Sequence, residues 1–251
     1  MTAVDRYART VEAFLSLYHR HEVEFDAPFP GTPALVVSNH GFGGIIDLNA
    51  MALASALRKL GVHEKVTVLV HQVAWTLGAG RLLELIGARP GSPAAVQEAF
   101  AAGRHVAVFP GGDVDAAKSW RDRDGVCFAG RTGFARIAIE HDVPIVPVVT
   151  AGTGETLLVL WDGQPLARAL RLPKLLRMKA MPVSVSIPWG LNVGLVGLLP
   201  YLPLPAKLHT AVLPPIVAHE GETPGDLAAR VETAMQRRLT ELVHDRIPLL
   251  G

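Results

Sequence analysis

The stretch Ala34-Leu35-Val36-Val37-Ser38-Asn39-His40-Gly41-Phe42-Gly43-Gly44-Ile45-Ile46-Asp47 decides how the chain folds. Its first residues form a short apolar run ending at a polar loop, which predicts a buried strand over Ala34–Ser38. The run breaks into Asn39-His40 and a glycine-rich loop. Glycine lets a chain turn tightly and approach a ligand closely. A histidine just past a buried strand stands where α/β sheets receive ligands, outside the carboxyl ends of strands. Asp47 to Leu60 then reads as a helix ended by Gly61.

Working outward, the same alternation recurs. Tyr7 to Tyr18 has apolar or aromatic residues at 7, 11, 14, 15 and 18, the spacing of an amphipathic helix. Val66–Val70, His105–Phe109, Val143–Val149, Val183–Ile187 and Thr210–Leu213 are strand-like. Thr76–Leu85 reads as helical or mixed, and Pro93–Ala102 (stopped by Gly103), Gly133–Glu140 and Asp226–Val243 read as helical, the last with apolar positions 227, 231, 235, 239, 242 and 243. Helices alternating with short β-branched runs predict an α/β fold with a largely parallel, mixed sheet flanked by helices. With no repeat or linker, the 251 residues predict a single domain. Residues 1–30 would be an amphipathic lead-in, 31–218 the α/β core, and 219–251 a closing helix.

Composition sets outer bounds. Hydrophobic residues make up 49% and charged residues 19%, with a mean hydropathy of +0.29, which excludes disorder. The net charge of +1 gives no bulk attraction to nucleic acid. Cys127 is the only cysteine, so neither an intrachain disulfide nor a multi-cysteine zinc site can form. Asp5, Arg6, Arg9, Glu12 and Arg20 interrupt the first twenty residues, which is unlike a secretory leader and predicts a cytoplasmic location.

Ala180 to Ala206 is uncharged and long enough to cross a bilayer. Its five prolines would break the internal hydrogen bonding that a lone spanning helix needs. A buried strand followed by an apolar loop is expected instead. From Gly163 to His219 there is no acidic residue, while Arg168, Arg171, Lys174, Arg177, Lys179 and Lys207 are present. Basic residues beside an apolar stretch suit peripheral binding to the inner face of an anionic membrane. They equally suit a solvated helix beside a core strand.

Three places could carry chemistry. The first is Asn39-His40 with Asp47, a carboxylate near enough in sequence to hold the imidazole's tautomer and stabilise its protonated form. The second is Phe109-Pro110-Gly111-Gly112-Asp113-Val114-Asp115, whose glycine N–H groups could meet an oxyanion, or could simply form a tight turn. The third is Gly130-Arg131-Thr132-Gly133, where Arg131 at a helix entrance could meet an anion.

The ordered set Asn39-His40…Asp47, Gly87 to Arg89, Phe109-Pro110-Gly111-Gly112, Gly133-Phe134 and Val146-Pro147 resembles the lysophospholipid (glycerolipid) acyltransferase superfamily, from about Ala34 to Val149 and more weakly to Ile216. The resemblance implies an α/β sheet domain behind amphipathic N-terminal helices, and transfer of an acyl group from a thioester to a lipid hydroxyl. It makes His40 the base and Asp47 its partner, with Asn39, Arg89, Phe109, Pro110, Gly111, Gly112, Asp115 and Arg131 on the substrate side. The chain departs from the family pattern in two ways. Six residues rather than four separate His40 from Asp47, and Gly111 and Val114 stand where the third motif usually has glutamate and arginine. A Phe-Pro-Gly-Gly turn with a following acid, approximated by Asp115, looks more like the branch that acylates diacylglycerol or fatty alcohols.

The chemistry needs few parts. A neutral imidazole takes the hydroxyl proton, fixed donors hold the oxyanion, and no metal is required. The expected partners are an acyl thioester (acyl-CoA or acyl carrier protein as co-substrate), a lipid alcohol and a membrane surface. No Gly-x-Ser-x-Gly elbow occurs, which argues against an acyl-enzyme route. The rival expectations are a thioesterase or lipid esterase in which His40 activates water, and a non-catalytic membrane lipid-binding protein.

Overall fold

The computed structural model describes residues 3–42, 47–70, 84, 88–172, 179–194 and 199–251. The loop residues Gly43 to Ile46, the helix expected over residues 76–85 save Glu84, Gly87, Lys174 and Arg177 lie outside the described residues.

The chain builds the α/β architecture expected from its sequence. Strands β1 (Glu22–Phe25), β2 (Leu35–Ser38), β3 (Val66–Val70), β4 (Ala88–Pro90), β5 (His105–Val108), β6 (Ile145–Ala151) and β10 (His209–Val212) form one seven-stranded sheet in the order β1-β10-β6-β2-β5-β3-β4. The five strands from β6 to β4 run parallel; β1 and β10 are parallel to each other, and β10 is antiparallel to β6. A second sheet of β7 (Leu158–Trp161), β8 (Val183–Ser186) and β9 (Gly190–Val193) is antiparallel.

Period-two alternation sorts the central strands between two helical layers. Leu35, Val37, Val106, Ile145 and Val149 pack on one face against helices α5 (Gly133–Glu140) and α7 (Pro224–Val243). Val36, Ala107, Val146 and Val148 pack on the other against Leu53, Ala56 and Leu57 of α2 (Leu48–Lys59). On α7, capped by Thr223, the expected positions Leu227, Val231, Met235 and Leu239 are buried, each worth about 2 kcal/mol in area removed from water. Between them in sequence lie α3 (Pro93–Ala101), α4 (Gly112–Ala116) and α6 (Gln164–Ala169).

The first helix, α1 (Ala3–Ala13), runs on into a wider π turn over Phe14–Tyr18. Its stripe is used inside the molecule: Val11, Phe14 and Leu15 pack against Leu48, Met51 and Leu208, and the Tyr18 hydroxyl donates to the Pro203 carbonyl at 2.8 Å. No helix among the described residues is long and apolar enough to cross a membrane.

The segment after Ala180 departs from expectation. The expected strand is present as β8, but it is buried on one face only, and part of the expected loop forms a second strand, β9, paired with it in a hairpin. The reason is architectural: β8 lies outside the main sheet, and among the described residues no helical layer covers its outward face.

Candidate active site

Parallel pairing sets the site's position. β2 and β5 are adjacent and in register, Val37 opposite Val108, so the loops leaving their carboxyl ends emerge side by side. One carries His40, the other Phe109 to Gly112. The two rings of His40 and Phe109 lie 4.9 Å apart between centroids.

His40 is held from below. Its backbone N–H donates to Asp115 Oδ2 at 2.7 Å, and its Nδ1 faces the Gly41 carbonyl at 3.1 Å. Its Nε2 lies 3.7 Å from Asp47 Oδ2. That is ion-pair distance, beyond a direct hydrogen bond. The other Asp47 oxygen accepts from the Ala50 N–H at 2.9 Å and caps α2. One carboxylate therefore fixes the start of a helix and faces the imidazole, despite the longer loop.

With a proton on Nδ1 given to the Gly41 carbonyl, the Nε2 lone pair is open towards the side where Asp47 stands. If Nε2 takes a proton, the ring becomes a cation beside that carboxylate. A carboxylate so placed stabilises a protonated imidazole.

Asn39 is buried and bridges strands: its Nδ2 donates to the Thr150 carbonyl at 3.1 Å, and the Thr150 N–H donates to its Oδ1 at 2.9 Å. Asp115 is buried too, and accepts from Lys118 Nζ at 2.6 Å and Cys127 N–H at 3.1 Å besides His40. With its oxygens so engaged, it positions the His40 backbone rather than meeting a ligand.

The Gly111-Gly112 turn is tightly enclosed. A Cβ on Gly111 would come within 2.2 Å of the Asp115 Cβ and 2.4 Å of the Cys127 carbonyl oxygen. No larger residue fits where the family motif has glutamate. Gly112 has φ of +51° and donates its N–H to the Phe109 carbonyl at 3.2 Å. Among the described residues the Gly111 N–H meets no acceptor, which leaves it as the turn's candidate oxyanion donor.

Arg131 reaches the turn, and three of its five N–H donors are engaged there. Nη1 donates to the Pro110 carbonyl at 3.2 Å and to the Gly111 carbonyl, and Nη2 to Asp113 Oδ1 at 2.7 Å. The second Asp113 oxygen accepts from the Lys179 N–H at 2.5 Å. Arg89 is exposed on the edge strand β4, three strands from β2 in the sheet order. Three strand spacings put it about 14 Å to the side. The structure thus brings His40, Asp47, Phe109, Pro110, Gly111, Gly112, Asp115 and Arg131 together, and leaves Arg89 at the sheet's edge.

Sequence reasoning missed three residues. Asn49, buried on α2, donates to the Asn39 carbonyl at 3.0 Å and accepts from the Gly41 N–H, so it clamps both sides of His40. Lys118 neutralises the buried Asp115. Tyr201 packs its ring against Phe42, and burial, followed by the Asp47 charge, pushes its phenol well above the ordinary range. A buried Asn beside the Asp47 cap was the one local signal; the other two residues lie far along the chain.

The class is now defined: a mostly parallel α/β sheet with a histidine, faced by an aspartate, at the carboxyl end of a central strand. The chain belongs to the acyltransferase family, whose profile matches residues 20–151. It is 28% identical over 232 residues to a Gallus gallus protein described as a DGAT1/2-independent enzyme synthesizing storage lipids, covering 92% of this chain and 62% of that one. An uncharacterized Mycobacterium tuberculosis protein is 29% identical over 223 residues, covering 85% of this chain and 58% of its own. The chain thus spans about six-tenths of the length of these relatives. The 1-acyl-sn-glycerophosphate (LPA) acyltransferase PlsC from Thermotoga maritima superposes with a TM-score of 0.52 at 15% identity, over 96% of this chain and 84% of that one. At that identity the likeness is one of fold.

Proposed function

We propose that the protein transfers a fatty acyl group from an acyl thioester to a lipid hydroxyl, with His40 as general base, and that the hydroxyl belongs to a neutral glyceride or long-chain alcohol. The observation that carries this is the His40 Nε2, presented beside the Asp47 carboxylate at 3.7 Å on the strand rim. The acceptor hydroxyl gives its proton to Nε2 as its oxygen attacks the thioester carbonyl carbon. The tetrahedral oxyanion is held by the Gly111 N–H. The C–S bond then breaks, the imidazolium returns the proton to the departing thiolate, and an ester and a free thiol remain.

The neutral acceptor is supported by Asp113, whose carboxylate pairs with Arg131 Nη2 at 2.7 Å and offsets the guanidinium charge beside the turn. A phosphate monoester carries close to two negative charges and calls for a guanidinium whose charge is not already compensated. The storage-lipid description of the Gallus gallus relative points the same way.

The test offers purified protein one acyl-CoA together with lysophosphatidic acid and a neutral monoacylglycerol, and follows thiol release and lipid products. Acylation of the neutral glyceride is expected to dominate. Preferential acylation of lysophosphatidic acid overturns the acceptor assignment, and thiol release with no acylated lipid in either arm overturns the transfer itself.

A further inference from the structure

The three-stranded sheet is inside out. Leu158, Val185 and Leu191 form one cross-strand row, and Trp161, Val183 and Val193 another. Residues paired across strands share a face. In these rows Trp161, Val185, Leu191 and Val193 are exposed, Leu191 to 66%. The alternate row, Val159, Ser184 and Asn192, faces inward, with Val159 and Ser184 buried. An antiparallel sheet with one solvated face normally turns hydrophobic residues in and polar residues out. Here the serine is inside and the aliphatic residues are in water.

The patch continues past the hairpin. Ile187 bridges to Leu202, and both side chains are about half exposed, at 50% and 52%. Trp189 between them donates its indole N–H to the Pro200 carbonyl at 2.7 Å and leaves its ring 47% exposed. A satisfied indole N–H with an open ring face suits the boundary between water and hydrocarbon.

The charge around the patch selects the occupant. Arg168 on α6 and Arg171 just after it follow β7, and Lys179 leads into β8; all three are exposed. They flank the end of the sheet where Trp161 pairs with Val183. The acids near that end are engaged: Asp162 by the Gln164 N–H at 3.1 Å and its Nε2 at 2.8 Å, and Asp113 by Arg131 Nη2 at 2.7 Å and the Lys179 N–H at 2.5 Å. Two copies meeting through this face would set like charges against each other. An anionic lipid surface accepts both the apolar centre and the basic edge.

We infer that the outward face of the β7–β8–β9 sheet docks on an anionic phospholipid bilayer. The inward face explains the arrangement. There Val159 packs with Leu157, Tyr201 and Phe42, two residues from His40. A bilayer seated on the outer face lies one thin sheet away from the loop that carries the base, so a lipid acceptor has a short path to it. That motive rests on the proposed lipid chemistry, but the docking is measured without turnover.

The test uses the full chain and vesicles of phosphatidylcholine alone or mixed three to one with phosphatidylglycerol. Wild type is expected to sediment with the mixed vesicles and much less with neutral ones. Leu191→Glu should lower partitioning at least about tenfold, and Arg168→Gln with Arg171→Gln several-fold, while Leu17→Glu on the π turn changes nothing. Should Leu191→Glu fail to fold, brominated lipids decide: they should quench wild-type tryptophan fluorescence, and Trp189→Phe should lose part of that quenching. The inference is overturned by folded wild type that ignores both vesicle types, by unaltered partitioning of folded Leu191→Glu, by absent quenching, or by a wild-type dimer that Leu191→Glu dissolves without any vesicle binding. Acyl transfer to a short-chain acceptor dissolved in water should survive Leu191→Glu. If wild type lacks even that activity, the proposed chemistry fails while the binding result stands.

Discussion

The backbone N–H of His40 donates to Asp115 Oδ2 at 2.7 Å, a carboxylate from 75 residues further along the chain. The same side chain holds Lys118 Nζ and the Cys127 N–H, and it is almost wholly buried. Removing one partner of a buried ion pair leaves the other charge uncompensated, at about 3–5 kcal/mol. Asp115→Ala should therefore lower stability by about that amount in urea unfolding, and Asp115→Asn should lower kcat by releasing the His40 backbone. A variant as stable as wild type would remove Asp115 from this role.

His40→Ala should lower kcat by at least about 10²-fold with an unchanged fold, the usual worth of a general base. Near-normal turnover in a folded His40→Ala protein would sink the mechanism.

Asp47 has two separable duties, because one oxygen caps α2 and the other faces His40 at 3.7 Å. Asparagine caps a helix about as well as aspartate, but brings no charge. Asp47→Asn should leave stability within about 0.5 kcal/mol and reduce kcat about tenfold, whereas Asp47→Ala should also lose about 1 kcal/mol of cap. If Asp47→Asn turns over like wild type, the carboxylate is a helix cap and no more.

The parts of this site differed in how far the sequence could show them. β2 and β6 are buried on both faces, so they appear as unbroken apolar runs, and the sheet could be laid out from them. β1 reads Glu-Val-Glu-Phe and pairs only at the edge, so no apolar run marks it. Of the outer sheet, β8 was legible as a strand over Val183–Ile187, but β7 and β9 were not, and the apolar residues of β8 face out where a rule of hydrophobic-inside assigns them to a core. The nearness of His40 to Asp47 was legible because only six residues separate them in sequence. The role of Asp115 depends on which loops the parallel pairing brings together, and spacing along the chain carries no trace of that.

Gly111 should tolerate nothing larger. A Cβ there meets the Asp115 Cβ and the Cys127 carbonyl oxygen, neither of which is the far end of a flexible chain. Overpacking of this kind costs about 1–3 kcal/mol or more. Gly111→Ala should lower Tm and also kcat, because the displaced groups include the carboxylate under His40. An alanine variant with wild-type melting would show that the turn is looser than its contacts imply.

The last prediction concerns pH. His21 is buried, and its Nε2 meets the Thr210 hydroxyl at 2.8 Å, which in turn meets the Thr150 hydroxyl at 2.9 Å. Burial above all, and then the positive charges of Lys59, His209 and His19, lower its pKa to about 4. An unfolded histidine titrates near 6.5, so above about pH 7 neither state holds the proton and the group contributes nothing to pH dependence. As pH falls from about 6.5 towards 4, the unfolded chain binds a proton that the folded chain refuses, and stability drops. At pH 5 the loss from this one residue is about 2 kcal/mol, growing to about 3 kcal/mol at most before the folded state also protonates. His19 and His105, lowered chiefly by burial, pull the same way. Urea unfolding of wild type should show a clear loss between pH 7.5 and pH 5. His21→Gln, which can still meet the Thr210 hydroxyl but cannot titrate, should lose about 2 kcal/mol less over that interval. Equal losses in the two proteins would place the acid sensitivity elsewhere than His21.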